Sequence, residues 1–183
     1  MSDARIRQLR TSELTSAEVD AIRDLLWAAF ADDEDEAFSE DDWQHSIGGL
    51  HFVLDLDGRV VSHASVVERY LNVGGTTVRT GYVEAVATAT DKQRRGFGSS
   101  VMREVNAYIA QHFRLGGLGT GSHGFYQRLG WQVWIGPSFV RATEGLERTA
   151  EEDGYILVLQ TPSSPVIDLA APISCEWRSG DVW

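Results

Sequence analysis

The sequence predicts one α+β domain over residues 1–183, with a central, mostly antiparallel mixed sheet and helices on both faces. First, strand-like segments follow one another through two tight turns, Asp57-Gly58 and Gly74-Gly75, which is typical of an antiparallel meander. Second, apolar residues at helical spacing predict a helix over Ser99–His112. The short apolar segment Leu115–Leu118 completes a βαβ unit, and we expect the sheet to splay at a ligand cleft there.

The first third of the chain predicts one strand and two helices. Ile6–Leu9 has apolar ends and predicts a short strand. Thr15 followed by Glu18 is a capping box, and apolar residues at helical spacing come after it. Ser39 is placed to cap a second helix that carries Ile47 on its inner face and ends at a glycine pair.

The middle of the chain predicts three strands, which are Leu50–Asp55, Arg59–Leu71 and Thr76–Thr88. In the third strand, strict alternation would place Tyr82, Glu84, Val86 and Thr88 on one face. A carboxylate in such a strand is costly unless it faces a wet cleft or a partner. Glu84 is therefore either a proton acceptor or the partner of an arginine such as Arg69 or Arg79.

The last third predicts short elements separated by turns. Phe125–Leu129 predicts a short helix, and Trp131–Ile135 and Tyr155–Leu159 predict strands. Glu144–Asp153 is polar and predicts a loop. The proline-rich stretch that follows predicts irregular chain as far as Cys175.

Composition excludes several classes of function. The net charge is −11, which argues against nucleic-acid binding and is compatible with a cationic substrate. No apolar run approaches the ~20 residues that a membrane helix needs, so no membrane partner is expected. The first residues lack the apolar stretch of a secretory leader, and Cys175 is the single cysteine. These features predict a cytoplasmic location.

A glycine-containing loop between the third predicted strand and the Ser99–His112 helix predicts an anion site. It reads Gln93-Arg94-Arg95-Gly96-Phe97-Gly98 and leads into Ser99. Glycines permit a close backbone approach, and the first helical turn has unpaired N–H groups. The order Q-x-x-G-x-G resembles the acyl-CoA loop of the GNAT superfamily of N-acetyltransferases. An ordinary strand-to-helix loop is the alternative.

Tyr126 and the histidines complete the candidate residues. Tyr126 is either a core residue or a general acid that protonates a leaving thiolate. The five histidines lack metal-ligand spacing, so no metal is expected.

The whole chain resembles the aminoglycoside 2′-N-acetyltransferases within the GNAT superfamily. The final Gly180-Asp181-Val182-Trp183 segment is the most specific part of this resemblance. The other matching stretches are Asp42-Trp43 with Gly48-Gly49, Gly81-Tyr82-Val83-Glu84 with Val86-Ala87, Tyr126 through Gly130-Trp131, and Asp153-Gly154.

The resemblance implies direct transfer of acetyl from the cosubstrate acetyl-CoA to the 2′-amino group of an aminoglycoside. It implies that Glu84 receives the substrate proton, directly or through water, and that Tyr126 is the general acid. The implied acetyl-CoA contacts are Val86, Thr88, Gln93, Arg94, Arg95, Gly96, Gly98 and Ser99. The implied drug contacts are Asp42, Glu84, Gly119, Glu152, Asp181 and Trp183.

Departures from the family pattern fall near the drug. The acidic loop Asp32–Glu36 is longer than in mycobacterial members, Gly119 stands where serine is usual, and Glu152 stands where aspartate is usual. The drug is therefore either a 2-deoxystreptamine aminoglycoside, such as gentamicin or tobramycin, or kasugamycin. A polyamine or protein-amine acetyltransferase and a non-catalytic acyl-CoA-binding regulator are the alternatives. Homodimers are common in the superfamily, so a homodimer is a further expectation.

Overall fold

The computed structural model describes residues 4–31 and 37–183. The acidic loop Asp32–Glu36 lies outside the described residues. Contacts within the chain define two compact units, one comprising Met1–Val67 with Val83–Val105, the other Glu68–Tyr82 with Asn106–Trp183. The whole of 1–183 as a single domain stays a prediction.

The described helices and strands follow the predicted order, with additions near the end of the chain. The four α-helices are α1 (Ser16–Ala29), α2 (Glu40–His45), α3 (Phe97–His112) and α4 (His123–Gln127). The strands are β1 (Ala4–Arg10), β2 (Leu50–Leu56), β3 (Arg59–Val73), β4 (Thr76–Thr88), β5 (Leu115–Gly119), β6 (Gln132–Val133), β7 (Ser138–Ala142), β8 (Gly145–Arg148), β9 (Ile156–Gln160) and β10 (Ile173–Glu176). Short 3₁₀ turns lie at Thr11–Glu13, Thr90–Lys92 and Ala150–Glu152.

Local signals in the first unit act as the sequence predicts. The Thr15 hydroxyl accepts from the Glu18 N–H, and the Glu18 carboxylate accepts from the Thr15 N–H, so the capping box starts α1. Ser39 caps α2 in the same way through Asp42. The inner position predicted for Ile47 is wrong: α2 ends at His45, and Ile47 is exposed.

The sheet of the first unit is antiparallel. β1 pairs with β2 along its whole length, and β2 pairs with the first part of β3 across the Asp57-Gly58 turn. Both turn residues have positive φ, which is the conformation that a two-residue type I′ turn requires. The pairing of β2 with β3 shifts by one residue between Leu54 and Asp55.

In the second unit the strands follow the order β6-β9-β5-β4-β3-β10-β7-β8. β4 pairs with β5 in parallel over Thr80–Tyr82, and this ladder ends at Tyr82. A Cβ at Gly81 would lie 2.8 Å from the Phe113 ring and 3.0 Å from Ile109, so glycine lets the second half of α3 pack against β4.

Three predictions for the last third need correction. Glu144–Asp153 is not a polar loop throughout, because β8 lies within it and pairs antiparallel with β7. The strand predicted over Trp131–Ile135 is reduced to Gln132–Val133. The chain is not irregular as far as Cys175, because β10 begins at Ile173 and pairs in parallel with β7.

Candidate active site

A kink interrupts β4 at the residues predicted to face the reaction. Ala85 has φ 52°, a left-handed conformation that costs a non-glycine residue about 1–2 kcal/mol. Before it, Tyr82 and Val83 are both buried, and from Glu84 to Val86 all three residues are partly exposed. The predicted alternation through Thr88 is therefore broken, and we call Glu84, Ala85 and Val86 the β4 kink.

Side chains from β3 hold the carbonyl groups of this part of β4. The Ser65 hydroxyl donates to the Glu84 carbonyl at 3.3 Å, and the Ser62 hydroxyl donates to the Ala87 carbonyl at 2.9 Å. Between them, His63 Nδ1 lies 2.7 Å from the Ala85 carbonyl oxygen. Such contacts satisfy carbonyl groups at the kink, and they fix the backbone from Glu84 to Ala87.

Val86, the last residue of the kink, and Thr88 beyond it are partly exposed. The Thr88 hydroxyl lies 2.9 Å from the Ser62 hydroxyl, and the Thr88 carbonyl accepts a long hydrogen bond from the Gln93 amide at 3.4 Å. The next residue, Ala89, donates its N–H to the Val61 carbonyl at 2.8 Å. The end of β4 therefore presents ordered backbone directly before the glycine-containing loop.

The loop into α3 has the backbone geometry of an anion site. Arg94 has φ 59° and Gly96 has φ 86°, so left-handed residues alternate along it. Backbone of this kind turns successive N–H groups toward one concave side, where they can bind an anion. Gln93, Arg94, Arg95 and Gly96 are exposed, and Gly98 and Ser99 lie in the partly buried first turn of α3. The positive end of the α3 dipole adds to this site.

Tyr126 lies in the second unit, on α4, and is buried against aromatic neighbours. Its ring meets the Phe125 and Trp131 rings edge to face, with centroids 4.9 Å and 6.3 Å away. Its own carbonyl accepts from the Leu129 and Trp131 N–H groups. Burial raises the pKa of the Tyr126 phenol above its ordinary value, so the phenol stays protonated at neutral pH.

Asn106 of α3 supports the turn that follows Tyr126. Its amide N–H donates to the Leu129 carbonyl at 2.9 Å, and its amide oxygen accepts from the Trp131 indole N–H at 3.0 Å. The Asn106 amide therefore links α3 to the α4–β6 turn both as a donor and as an acceptor. This fixes the segment from which Tyr126 projects.

Four of the predicted drug contacts lie in the second unit, and the structure connects them around Trp183. The Trp183 N–H donates to the Asp181 carboxylate at 3.1 Å, and its indole N–H donates to the Thr149 hydroxyl at 3.1 Å. Thr149 directly precedes the turn that carries Glu152. A Cβ at Gly119 would lie 3.5 Å from the Trp183 carbonyl carbon.

Arg178 and Arg148 organise the chain near these residues. Arg178 donates to the Asp181 carbonyl at 2.7 Å and to the Trp183 carbonyl at 3.0 Å. Arg148 pairs with the Asp153 carboxylate, which also accepts from the Ser138 hydroxyl at 3.0 Å. These bonds hold the final segment and the 3₁₀ turn in place.

Glu152 has an unusual protonation equilibrium. Burial, the nearby Asp181 carboxylate and then Glu151 raise the pKa of Glu152 to about 7. Each cause disfavours the charged form, because the ion is partly desolvated and faces like charge. A cation close to Glu152 would favour the charged form and lower this pKa again.

Asp42 and the arginines near Glu84 in sequence have visible structural roles. One Asp42 oxygen accepts from the Ser39 N–H at 2.8 Å and from the Ser39 hydroxyl at 2.7 Å, so Asp42 completes the capping box of α2. Arg69 pairs with Glu176 at 2.8 Å and Arg79 with Glu68 at 2.6 Å. Both arginines named as alternative partners of Glu84 therefore engage other carboxylates.

Sequence reasoning missed a buried pair of histidines in the first unit. His51 and His63 are fully buried, and their rings are hydrogen-bonded at 2.9 Å. They are 12 residues apart and fit no ligand motif. Across residues 4–31 and 37–183, no cluster of three or more His, Cys, Asp or Glu side chains is placed to hold a metal ion. Nor does any helix in those ranges have the length and apolarity to cross a bilayer.

The fold and the loop into α3 define the class of the GNAT N-acetyltransferases. The model of the acetyltransferase (GNAT) domain matches residues 10–134, so the predicted fold class is confirmed. Within that class the chain belongs to the family of the aminoglycoside 2′-N-acetyltransferases. It is 36% identical, over 97% of its length and 91% of the relative's, to the aminoglycoside 2′-N-acetyltransferase of Mycolicibacterium fortuitum.

Solved structures share the fold at lower identity. A GNAT family acetyltransferase from Brucella melitensis, solved in complex with acetyl-CoA, is 21% identical with a TM-score of 0.61, covering 91% of this chain and 94% of that chain. Eis1 from Mycobacterium abscessus is 18% identical with a TM-score of 0.60, covering 75% of this chain. The match spans only 33% of the Eis1 chain.

Proposed function

We propose that this chain transfers the acetyl group of acetyl-CoA to the 2′-amino group of an aminoglycoside, and so confers resistance to that drug. The observation that carries the proposal is 36% identity over nearly the whole chain to an enzyme of that name. The described residues support it from two sides. One unit holds an anion-binding loop after a fixed strand end, and the other holds carboxylates suited to a cation.

On the donor side, the loop from Gln93 to Ser99 binds the pyrophosphate of acetyl-CoA. Its support is the alternation of left-handed residues before a helix N-terminus. The backbone of Val86 and Thr88 binds the pantetheine arm, as ordered backbone next to that loop can do. Arg94 and Arg95 add positive charge on exposed side chains.

In the chemical step, the neutral 2′-amine attacks the thioester carbonyl carbon, and the carbon–sulfur bond breaks. Glu84 accepts the proton that the nitrogen loses, directly or through water. Tyr126 gives a proton to the leaving thiolate, and the phenol is protonated at neutral pH because burial raises its pKa. Proton transfer of this kind contributes about 10²–10⁴-fold to a rate.

Direct transfer in a ternary complex is favoured over a covalent acetyl-enzyme. The single cysteine, Cys175, is buried, and burial raises the pKa of its thiol to about 11. A thiol in that environment is a poor nucleophile, because the thiolate is the reactive form. The amine therefore attacks the thioester itself.

On the acceptor side, Glu152, Asp181 and Trp183 bind the ammonium and hydroxyl groups of the drug, together with Asp42 and Glu84. The support is the pKa of Glu152, which burial and then the nearby Asp181 carboxylate raise, because a polycation would offset both effects. Gly119 next to Trp183 removes the side chain that serine would supply there. This difference bears on the choice between deoxystreptamine drugs and kasugamycin.

Thiol release from acetyl-CoA, measured against a panel of amines, tests the proposal. We expect release with tobramycin or gentamicin, or with kasugamycin, and none with amikacin, which has a hydroxyl at the 2′ position. Release with spermidine or a peptide amine alone would replace the proposal with the polyamine or protein-amine alternative. Acetyl-CoA binding with no release against any amine would identify a non-catalytic regulator.

Three further expectations belong to this proposal. A homodimer is tested by light scattering after size-exclusion chromatography, which should give twice the 20.2 kDa mass of the chain. A cytoplasmic location is tested by fractionation of the producing cell. Residues 1–183 as one catalytic domain predict a single cooperative unfolding transition, whereas independent domains would give two.

A further inference from the structure

A continuous line of hydrogen bonds runs through the interior of the first unit and ends at the β4 kink. The Thr11 hydroxyl lies 2.8 Å from His51 Nε2. His51 Nδ1 lies 2.9 Å from His63 Nε2, and His63 Nδ1 lies 2.7 Å from the Ala85 carbonyl oxygen. Both imidazoles are fully buried. We call Thr11, His51 and His63 the histidine line.

The partners assign every proton in the histidine line. A carbonyl oxygen only accepts, so His63 Nδ1 carries a proton and its Nε2 is the acceptor. His51 must then donate from Nδ1, which leaves His51 Nε2 to accept from the Thr11 hydroxyl. The Thr11 oxygen in turn accepts from the Gly48 N–H at 2.9 Å. Two neutral rings fit these contacts in this direction alone.

The buried environment of His51 and His63 also favours neutral imidazole rings. Burial lowers the pKa of His51 to about 4, and burial together with His51 lowers the pKa of His63 to about 3. The Trp43 ring lies 6.2 Å from the His51 ring and covers it on the side of α2. The line is therefore uncharged at neutral pH, and its geometry does not depend on a charged partner.

The line ends on the one carbonyl in β4 that belongs to a left-handed alanine. Ser65 and Ser62 fix the carbonyls on both sides of it, at Glu84 and Ala87. His63 is itself oriented by a second fully buried side chain, that of His51. A rigid donor at that point decides how the kink is held, because a kinked backbone persists only when its surroundings fix it.

We propose that His63, oriented by His51 and Thr11, is a positioning residue that fixes the β4 kink and thereby the direction of Glu84 and the backbone of Val86. This inference rests on the proposed function for its effect on catalysis, because Glu84 and Val86 act there on the amine and on acetyl-CoA. The geometric part, a carbonyl held by an oriented imidazole, stands without any activity.

Two substitutions of the buried His63 distinguish a positioning role from a role in fold stability alone. Asparagine at position 63 places its amide N–H where His63 Nδ1 lies, so His63→Asn keeps the bond to the Ala85 carbonyl and loses the bond to His51. Glutamine reaches the place of Nε2, so His63→Gln keeps the bond to His51 and loses the bond to Ala85. His112→Gln, at an exposed histidine of α3, is the control.

We expect His63→Gln to lower kcat at least tenfold with the KM for acetyl-CoA within about threefold, since a misplaced group costs mainly the chemical step. We expect His63→Asn to keep kcat within about threefold of the original protein and His112→Gln to leave it unchanged. Equal losses in the two position-63 variants, or an unchanged kcat in His63→Gln, would overturn the proposal.

Two NMR measurements test the geometry without activity. In the original protein, nitrogen–proton correlations of the imidazoles should show both His51 and His63 protonated at Nδ1, and an Nε2 proton on either ring would overturn the proposal. The carbonyl carbon shift of Ala85 should move in His63→Gln and stay in His63→Asn. If the original protein acetylates no amine, the proposed function fails while these two results still decide the inference.

Discussion

The β4 kink and the segment around Trp183 stabilise their surroundings by opposite means. At the kink, neutral hydroxyl and imidazole groups of β3 hold backbone carbonyls of β4. Around Trp183, carboxylates and arginines meet, and burial, followed by the nearby Asp181 carboxylate, raises the pKa of Glu152. At the kink, neutral side chains fix the main chain, whereas around Trp183 charged side chains make most of the contacts.

The largest expected effect comes from removing Glu84, the proposed proton acceptor at the kink. Glu84→Gln should lower kcat by about 10²–10³-fold, because the amide cannot take the proton from the attacking nitrogen. Thiol-release kinetics measure the effect, with Glu104→Gln on the exposed face of α3 as the matched control. Full activity in Glu84→Gln would show that the kink does not carry the base.

The next largest effect tests Tyr126, the proposed general acid in the second unit. Tyr126→Phe keeps the aromatic packing and removes only the phenol, so turnover should fall about 10–100-fold with acetyl-CoA affinity unchanged. Calorimetry gives the affinity and thiol release gives the turnover. Tyr155→Phe, at an exposed tyrosine, should behave like the original protein. Unchanged turnover in Tyr126→Phe would make it a core residue alone.

A smaller effect appears as a pH dependence of drug binding. The pKa of Glu152 is about 7 without a cation, so the group is charged above that pH and neutral below it. The KM for the drug should therefore rise as pH falls through 7, by up to about tenfold, while the KM for acetyl-CoA stays flat. Glu152→Gln should remove this dependence, and Glu147→Gln on exposed β8 should keep it.

The raised pKa of Glu152 also predicts the direction in which folding stability changes with pH. The pKa of Glu152 is raised on folding, so the folded chain binds this proton more strongly than the unfolded chain does. The shift therefore stabilises the fold at low pH, and this contribution is lost as pH rises from about 4.5 through 7. Melting temperatures of the Glu152→Gln variant should lack this pH-dependent component, and an identical pH profile in both proteins would contradict the assignment.

The smallest expected effect comes from removing hydrogen bonds around Trp183 while the β4 kink is left unchanged. The Thr149 hydroxyl accepts from the Trp183 indole and donates to the Ser138 hydroxyl at 2.9 Å. Thr149→Val keeps the shape and loses both bonds, which should cost about 1–3 kcal/mol of stability. We expect the drug KM to rise several-fold with acetyl-CoA affinity unchanged. An equal loss of acetyl-CoA affinity would show that the two sides are not independent.

Local chemistry made much of the fold predictable. The capping boxes at Thr15 and Ser39 and the glycine turns at Asp57-Gly58 and Gly74-Gly75 act through neighbouring residues, so sequence alone reveals them. The strand β8 escaped prediction because every one of its residues is exposed, which leaves no alternation of apolar and polar side chains.

The histidine line could not be predicted from the sequence, because it depends on a one-residue shift in the pairing of β2 with β3. A regular hairpin across Asp57-Gly58 would continue the pairing of Leu56 with Arg59 and place His51 and His63 on opposite faces. The shift at Leu54 pairs Val53 with His63 and brings both histidines to one face. A one-residue shift of register moves each side chain beyond it to the other face of the sheet, and no local sequence motif predicts this shift.

The candidate site also has one part that local sequence predicts and another that depends on tertiary contacts. The anion loop follows from a strand, glycines and a helix start, which are local features. The positive φ at Ala85 is set by tertiary contacts, because alanine itself disfavours that conformation. The grouping of Glu152, Asp181 and Trp183 joins distant segments of the chain, and only the resemblance to a family suggested it.

The position of the new acetyl group on the drug tests the central proposal most directly. Two-dimensional NMR of the product formed from tobramycin and acetyl-CoA should show a single acetyl group on the 2′ nitrogen, with amikacin recovered unmodified. If tobramycin is not a substrate, the kasugamycin product should carry the acetyl group in its place. Acetylation of tobramycin at another nitrogen, or of amikacin at a comparable rate, would contradict the proposed function.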